Sequence, residues 1–189
     1  MRGALLVPVP ASLVLALLLP FWAAGCNTTA GIWIDLTEQI PPEVQSGGAY
    51  LPAADFSEGT SLFFPDRYGQ ELALGSVPAD AIQGGSIDLA LSMFFSGETP
   101  LPGGHMDILF WLKSPDQSQE ALLGSVYWNT DEPALLAEES FPLTQNALSL
   151  LRGGTVRIVI EVRPRFSLAR PSEIRYRIEG LSARLSVRL

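Results

Sequence analysis

The sequence predicts an all-β protein, a single antiparallel β-sandwich of the jelly-roll or immunoglobulin-like kind with at most one or two short helices. Three observations favour this fold. Apolar and polar residues alternate along most of the chain at the period of two that is typical of strands. Fifteen prolines and 17 glycines divide the 189 residues into runs of strand length. No regular alternation of strand and helix patterns is present, as a parallel α/β sheet would require.

The composition bounds the class of protein. Hydrophobic residues make up 47% and charged residues 17% of the chain, which excludes a disordered polar protein. The formal net charge of −8 argues against nucleic acid as a partner. Nine arginines lie in residues 151–189, whereas Arg67 and Lys113 are the only lysine or arginine residues between 27 and 150. We therefore expect acidic and basic segments to lie side by side in the fold.

Residues 1–25 have the pattern of an export signal. Arg2 precedes an uninterrupted apolar run over residues 11–19, and small residues follow. The run is too short to cross a hydrocarbon core of about 30 Å as a helix. We expect this segment to direct export and not to remain as a stable transmembrane span.

The only cysteine, Cys26, directly follows Ala23, Ala24 and Gly25. This arrangement resembles the lipobox of bacterial lipoproteins, with Ala23 where leucine is usual, and the resemblance covers the first 26 residues. It implies cleavage before Cys26 and acylation of its thiol and new amino terminus by chains such as palmitate. Several acyl chains anchor a protein stably where one is marginal. The alternative is a chance cysteine behind an ordinary secretory signal.

On the lipoprotein interpretation the mature protein is extracytoplasmic and anchored at the cell membrane or outer membrane. Residues 26–31 form its lipidated terminus and a short tether, and residues 32–189 form the sandwich domain.

Strand patterns begin at Ile32, where Ile32, Ile34 and Leu36 share one face. The further strand-like runs are Ser61–Phe64, Gln70–Leu74, Ser86–Phe95, Met106–Lys113, Leu122–Trp128, Thr155–Val162, Ile174–Ile178 and Leu181–Leu189. The intervening Gln45–Glu58 has the composition of a loop. The patterns fit short helices at Pro133–Glu139 and at Thr144–Arg152. Arg152–Thr155 fits a tight hairpin turn equally well, in which case Ala147–Leu151 is a strand, and the sequence leaves both alternatives open.

Two hairpins follow from matching apolar stripes across neighbouring runs. The first pairs Ser86–Phe95 with Met106–Lys113 and sets Asp88 opposite Lys113. The second pairs Thr155–Val162 with Ile174–Ile178. Its register sets Glu161 opposite Arg175 and Arg163 opposite Glu173. After Ile178 the apolar positions change from even to odd numbers, which predicts a β-bulge at Gly180.

The outer face of the first hairpin carries Phe94, Leu109 and Trp111, more apolar area than a solvated face usually shows. Either a loop or another strand covers these side chains, or they form a patch that binds a partner or a glycan. They are the candidate binding residues of the mature domain.

No catalytic residue, metal site or cofactor is predicted. His105 is the only histidine and lies at a hairpin mouth, and no serine has a nucleophile-elbow context. The favoured function is a non-catalytic envelope module that binds or scaffolds another protein. The alternatives are a carbohydrate-binding module, which would need Trp33, Trp111 and Trp128 exposed and coplanar, and a hydrolase with two facing carboxylates.

Overall fold

The computed structural model describes residues 29–56, 59–75 and 77–188. The predicted signal, Cys26 and the first part of the tether lie outside these residues. Lipidation at Cys26 therefore stays a prediction. Within the described ranges, no helix has the length and apolar character that a membrane crossing requires.

Ten strands account for most of the described chain. Numbered in chain order, β1 to β10 are Thr29–Asp35, Ser46–Leu51, Leu62–Phe64, Gln70–Ala73, Ile82–Gly97, His105–Lys113, Glu120–Asn129, Ala134–Pro142, Thr155–Arg165 and Ser172–Arg188. Two short α-helices are present, α1 at Pro42–Gln45 and α2 at Gln145–Leu151, together with 3-10 turns at Thr37–Gln39 and Ala79–Ala81.

The strands form two antiparallel five-stranded sheets, and the predicted β-sandwich is confirmed. In sheet 1, the central β10 pairs with β5 on one side and with β1 and β2 on the other, and β8 follows β5 at the edge. In sheet 2, β9 pairs with β3, β4 and β6, and β7 follows β6. Both sheets therefore combine strands that are distant in sequence.

Alternating side chains of both sheets meet in one core. In β5, Ile87, Leu89, Leu91 and Met93 are buried, and in β6 the buried set is Met106, Ile108, Phe110 and Leu112. Phe110 contacts Phe141 of β8 at a ring-centroid distance of 5.1 Å and so joins the two sheets. The apolar stripes that the sequence predicts do face the core.

The predicted 86–113 hairpin is wrong. β5 and β6 lie in different sheets, and their connection crosses from one to the other. Asp88 contacts Arg184 of β10 instead of Lys113, at 2.7 Å from Nε to Oδ2. Lys113 lies 3.4 Å from Glu120 of β7. Two equally apolar stripes satisfy the core whether they pair within one sheet or face each other across the sandwich.

The predicted pairing of Thr155–Val162 with Ile174–Ile178 is also wrong, because β9 belongs to sheet 2 and β10 to sheet 1. Glu161 pairs with Arg163 two residues along its own strand, and Glu173 likewise pairs with Arg175. Alternate residues of a strand point to the same face, so an acid and an arginine two apart can meet without a neighbouring strand.

The change of apolar positions along β10 is confirmed. Ile178 lies opposite Leu91, and Gly180 lies opposite Ala90, so Glu179 is the extra residue of a bulge. Ile178 and Leu181 are both buried on either side of it. The bulge lets one strand of 17 residues keep its apolar side chains in the core.

Two local predictions are wrong, and one alternative that the sequence leaves open is decided. Gln45–Glu58 contains β2, which forms because the backbone of β10 offers a free edge there. Pro133–Glu139 is mostly strand β8 and not helix, since pairing with β5 outweighs its local helix preference. Thr144–Arg152 is helical, with the Thr144 hydroxyl accepting a hydrogen bond from the Ala147 amide at 3.3 Å.

The segments of opposite charge do lie side by side. Arg157 of β9 contacts Glu71 of β4 at 3.0 Å, and Arg184 of β10 contacts Asp88 of β5. The basic C-terminal strands thus occupy central positions between acidic neighbours.

Candidate functional site

The three tryptophans required for a flat glycan platform lie in three different environments. Trp33 projects from sheet 1 and is 62% exposed. Trp128 is 1% exposed in the core, with its ring centroid 5.3 Å from that of Phe95. Trp111 is half-buried on sheet 2. No shared aromatic platform is formed by these residues.

The structure does not bring the predicted binding residues Phe94, Leu109 and Trp111 together. Phe94 lies on sheet 1, in register with Ala134 and Arg175, and is 41% exposed. Leu109 and Trp111 lie on sheet 2, and Leu109 is only 9% exposed. Trp111 and Leu109 share a face with each other but not with Phe94.

The chain between β3 and β4 covers part of the outer face of sheet 2, over Val159 of β9. Gly69 of this loop lies so close to the β9 backbone that an added Cβ would meet the carbonyl of Ile158, and the Cγ2 of Val159 at 2.5 Å. Val159 is consequently fully buried although it points away from the central core. The covering loop explains why apolar Val159 is tolerated at an outward position of β9.

A polar cluster adjoins this covered region. The Trp111 indole donates a hydrogen bond to the Glu161 carboxylate at 3.0 Å, and the Ser61 hydroxyl donates another at 2.8 Å. Arg163 contributes two further hydrogen bonds to the same carboxylate. Burial of Glu161 opposes its ionisation, but the donors outweigh this effect and hold the pKa of its carboxyl below the ordinary value. These four hydrogen bonds occupy both oxygens of the Glu161 carboxylate, so the cluster leaves no acceptor free for a ligand.

A groove of about 600 Å³ crosses the outer face of sheet 1. Its floor is made of small residues, including Ala90, Gly180 and Ser182, which lie on neighbouring strands. One wall carries Trp33 and Glu38, from β1 and the turn that follows it, and the opposite wall carries Glu138 of β8. We call this feature the acidic groove.

Six carboxylate residues and one arginine line the acidic groove: Asp35, Glu38, Asp88, Glu138, Glu139, Glu179 and Arg184. Two of these acids have cationic partners. Asp88 pairs with Arg184, and Glu179 pairs with Arg177 at 3.3 Å. Within the described ranges, neither Glu38 nor Glu138 lies within ion-pairing distance of a lysine or arginine. The groove therefore has an excess of negative charge that the fold itself does not neutralise.

The groove does not have the features of a metal or triad site. Over the described part of the chain, no group of three histidine, cysteine, aspartate or glutamate side chains is placed to hold a metal ion. His105 lies on sheet 2, where its ring stacks on Tyr127 at a centroid distance of 5.0 Å. Its imidazole is thus on the other sheet from the carboxylates of the groove.

Sequence reasoning missed the acidic groove because its lining comes from β1, β5, β8 and β10, whose pairing was not predicted. One local signal was present. Outward positions of β5 and β10 are repeatedly small, as at Ser86, Ala90, Ser182 and Ser186, where a solvated sheet face usually carries longer polar side chains. Such positions mark a surface that something else can approach closely.

Comparisons with known proteins do not show a family. No protein-family model matches the chain, and no curated protein matches it in sequence. Among solved structures, the chain is similar to a family 29 carbohydrate-binding module in complex with cellulohexaose, with 10% identity and a TM-score of 0.34 over 82% of this chain and 91% of that one.

Two further likenesses are equally distant. The VP2 subviral particle of infectious bursal disease virus gives 10% identity and a TM-score of 0.33 over 86% of this chain and 33% of that one. A structure on the promiscuous specificity of carbohydrate-binding modules from the β-sandwich superfamily gives 9% identity and a TM-score of 0.32 over 85% of this chain and 59% of that one. The chain spans less than two thirds of both. At these values none of the three informs the function of this chain.

Proposed function

We propose that the chain is a non-catalytic binding module of the cell envelope, anchored through a lipid on Cys26, that presents the outer face of sheet 1 to a protein partner. The observation that carries this proposal is the acidic groove, whose floor of small residues lies between acidic walls. On sheet 2, the loop over Val159 and the hydrogen-bonded Glu161 cluster already occupy part of the outer face. Sheet 1 is therefore the better surface for docking.

Apolar side chains next to the groove support a protein as the partner. Leu136 is 82% exposed on β8, and Phe94 is 41% exposed on the neighbouring strand. Leu136 is in register with Ser92 and lies two residues before Glu138 on β8, so both side chains point to the same face of the sheet. Protein interfaces typically combine aromatic and aliphatic anchors with a polar rim, and this face offers both.

The anchor is consistent with this use of the face. β1 begins at Thr29, three residues after Cys26, so a fully extended link would span only about 10 Å. Trp33 lies on the same strand. A partner bound at the groove would thus be held close to the membrane surface.

The anchor has its own test. Intact-mass analysis of the protein purified from its native membrane should show a chain that begins at Cys26 with added acyl mass. Cys26→Ser should release the protein from the membrane fraction. A mature chain beginning elsewhere, without acyl mass, contradicts the anchor and leaves the binding face to be judged separately.

Site-specific photocrosslinking tests the binding face in the native membrane. A photoreactive residue replaces Ser182 in the groove floor, and a matched control replaces Ser125, which is exposed on β7 of sheet 2. We expect one defined protein adduct from position 182 and none of that mass from position 125. Equal adducts from both positions, or none from either, would contradict protein binding at this face.

Carbohydrate binding is the second candidate, and exposed Trp33 at the groove is the observation that favours it, because indole faces provide apolar contact area for ring-shaped ligands. A glycan array separates the two functions. Saturable glycan binding that Trp33→Ala abolishes, with no protein adduct at position 182, would replace the protein-binding proposal.

A further inference from the structure

The charge of the acidic groove determines what kind of segment fits it. Glu38 and Glu138 carry carboxylates on opposite walls, and no lysine or arginine of the described chain forms an ion pair with either. The one arginine that lines the groove, Arg184, is already paired with Asp88. A ligand that enters between the walls meets uncompensated negative charge from both sides, which favours a cation and repels an anion.

Trp33 adds a second preference. Its side chain is 62% exposed and borders the groove on the same wall as Glu38. The face of an indole attracts ammonium and guanidinium groups, more strongly than other aromatic rings do. A cation bound here would interact with both the indole ring and the Glu38 carboxylate. A neutral sugar would gain little from the negative charge of the carboxylate.

The floor of the groove limits the shape of the segment that can bring a cation into it. Ala90 and Gly180 face each other across the β5–β10 pair, and Ser182 follows at the next outward position. These small residues leave an unobstructed channel between the two walls. A long, flexible basic side chain from an extended segment can lie along such a channel, whereas a bulky folded surface would meet the walls first.

A metal ion is the other cation to consider. The described residues contain no group of three acidic, histidine or cysteine side chains placed to coordinate one. Divalent cations require several converging oxygen ligands at short distances. An organic cation on a side chain needs only charge and a face to lie on.

We infer that the acidic groove recognises an extended basic segment of the protein partner, with one lysine or arginine side chain at Trp33 and Glu38 and another at Glu138 on the opposite wall. This inference rests on the proposed function and adds the chemistry of the partner. It predicts an interaction that depends on charge, on salt and on one indole.

The test uses the full chain purified in a neutral detergent and a fluorescein-labelled octapeptide of alternating lysine and serine. Fluorescence anisotropy should show saturable binding, and the matched glutamate–serine peptide should not bind. Raising sodium chloride should weaken the affinity steeply, because exposed charges are screened within about 8 Å at physiological ionic strength.

Variants separate the site from general negative charge. Glu38→Gln combined with Glu138→Gln should weaken binding about tenfold or more, as expected for loss of two charge contacts. Trp33→Ala should weaken it about threefold or more, while Trp33→Phe retains part of the affinity. The matched control, Glu98→Gln with Glu132→Gln, removes two carboxylates outside the groove and should leave the affinity within about twofold. Thermal unfolding confirms that all variants fold.

The outcomes keep this inference distinct from the proposed function. Equal weakening by the control pair, or no binding of the lysine peptide, overturns the cationic segment. If the adduct at position 182 persists in that case, the binding face stands and only its chemistry is wrong. Competition by calcium at equal ionic strength, or by a glycan, assigns the groove to that ligand and overturns the inference.

Discussion

The indole of Trp111 and the carboxylate of Glu161 are joined across the β6–β9 pair, with 3.0 Å between Nε1 and Oε2. Glu161 is 7% exposed, so this carboxylate is held in the fold and not in solvent. Trp111 and Glu161 are diagonal neighbours, since Trp111 is in register with Val159. Trp111, which the sequence predicts as a binding residue, therefore has a structural contact within the fold.

Trp111→Phe should destabilise the protein because it removes a donor from a buried carboxylate. A hydrogen bond to a charged group contributes about 1.5–3 kcal/mol. Urea unfolding measures the loss. Trp33→Phe is the matched control, since its exposed indole should cost less than about 0.5 kcal/mol. A double-mutant cycle with Glu161→Ala, which removes the acceptor, should show coupling, and additive effects would contradict the contact.

The stability that ionised Glu161 contributes should depend on pH. Its pKa in the folded protein is lowered from the ordinary 4.5, so the unfolded state binds more protons in acid. The contribution is fully present well above pH 4.5 and is lost as the pH falls through 4.5 towards the lowered folded value. Urea midpoints measured against Glu161→Gln should converge with acidification. A constant difference from neutral to acid pH would contradict the assignment.

Gly124→Ala should destabilise the sandwich. Gly124 lies on β7 opposite Phe110, and an added Cβ would overlap the ring of Phe141 from the other sheet, with its Cε1 at 2.5 Å. Phe141 is buried and packed on Phe110, so it has little room to move. Overpacking of this kind costs about 1–3 kcal/mol. The neighbouring exposed Ser125→Ala is the control, and equal midpoints for both variants would contradict the close approach.

Deletion of Glu179 should be tolerated. Removing this extra residue of the bulge makes β10 alternate regularly, while Ile178 and Leu181 keep their buried positions opposite β5. The expected loss is about 1 kcal/mol, mainly from the contacts of Glu179 with Arg177 and Ser92.

Deletion of Ser182 is the matched control for the bulge. It removes a residue from a regular part of β10, so Ala183 and Leu185 would turn outwards and the charged Arg184 inwards. Circular dichroism and urea unfolding should show a folded protein for the first deletion and a strongly destabilised one for the second. The reverse order would contradict the bulge.

The candidate site depended on the fold in a way that local patterns do not encode. Trp33 and Glu38 are five residues apart, but Asp88, Glu138 and Ser182 come from distant segments that meet only because β5 pairs with both β8 and β10. By contrast, the sequence identified Phe94 as an exposed apolar residue on its own strand. Its grouping with Trp111 failed when β5 and β6 separated into different sheets.

The sequence by itself determined which side chains face the core. Alternation is a local property, so Ile87 to Met93 in β5 and the change of positions at Gly180 in β10 could be predicted from neighbouring residues alone. Only the tertiary structure decided which strands pair. An apolar stripe does not specify its partner strand, because it is buried equally well next to a similar stripe in the same sheet or across the core from it. The acid and arginine residues had the same ambiguity. Glu161 and Glu173 could reach arginines on a neighbouring strand or two residues along their own, and the assignment of β9 and β10 to opposite sheets selected the second arrangement.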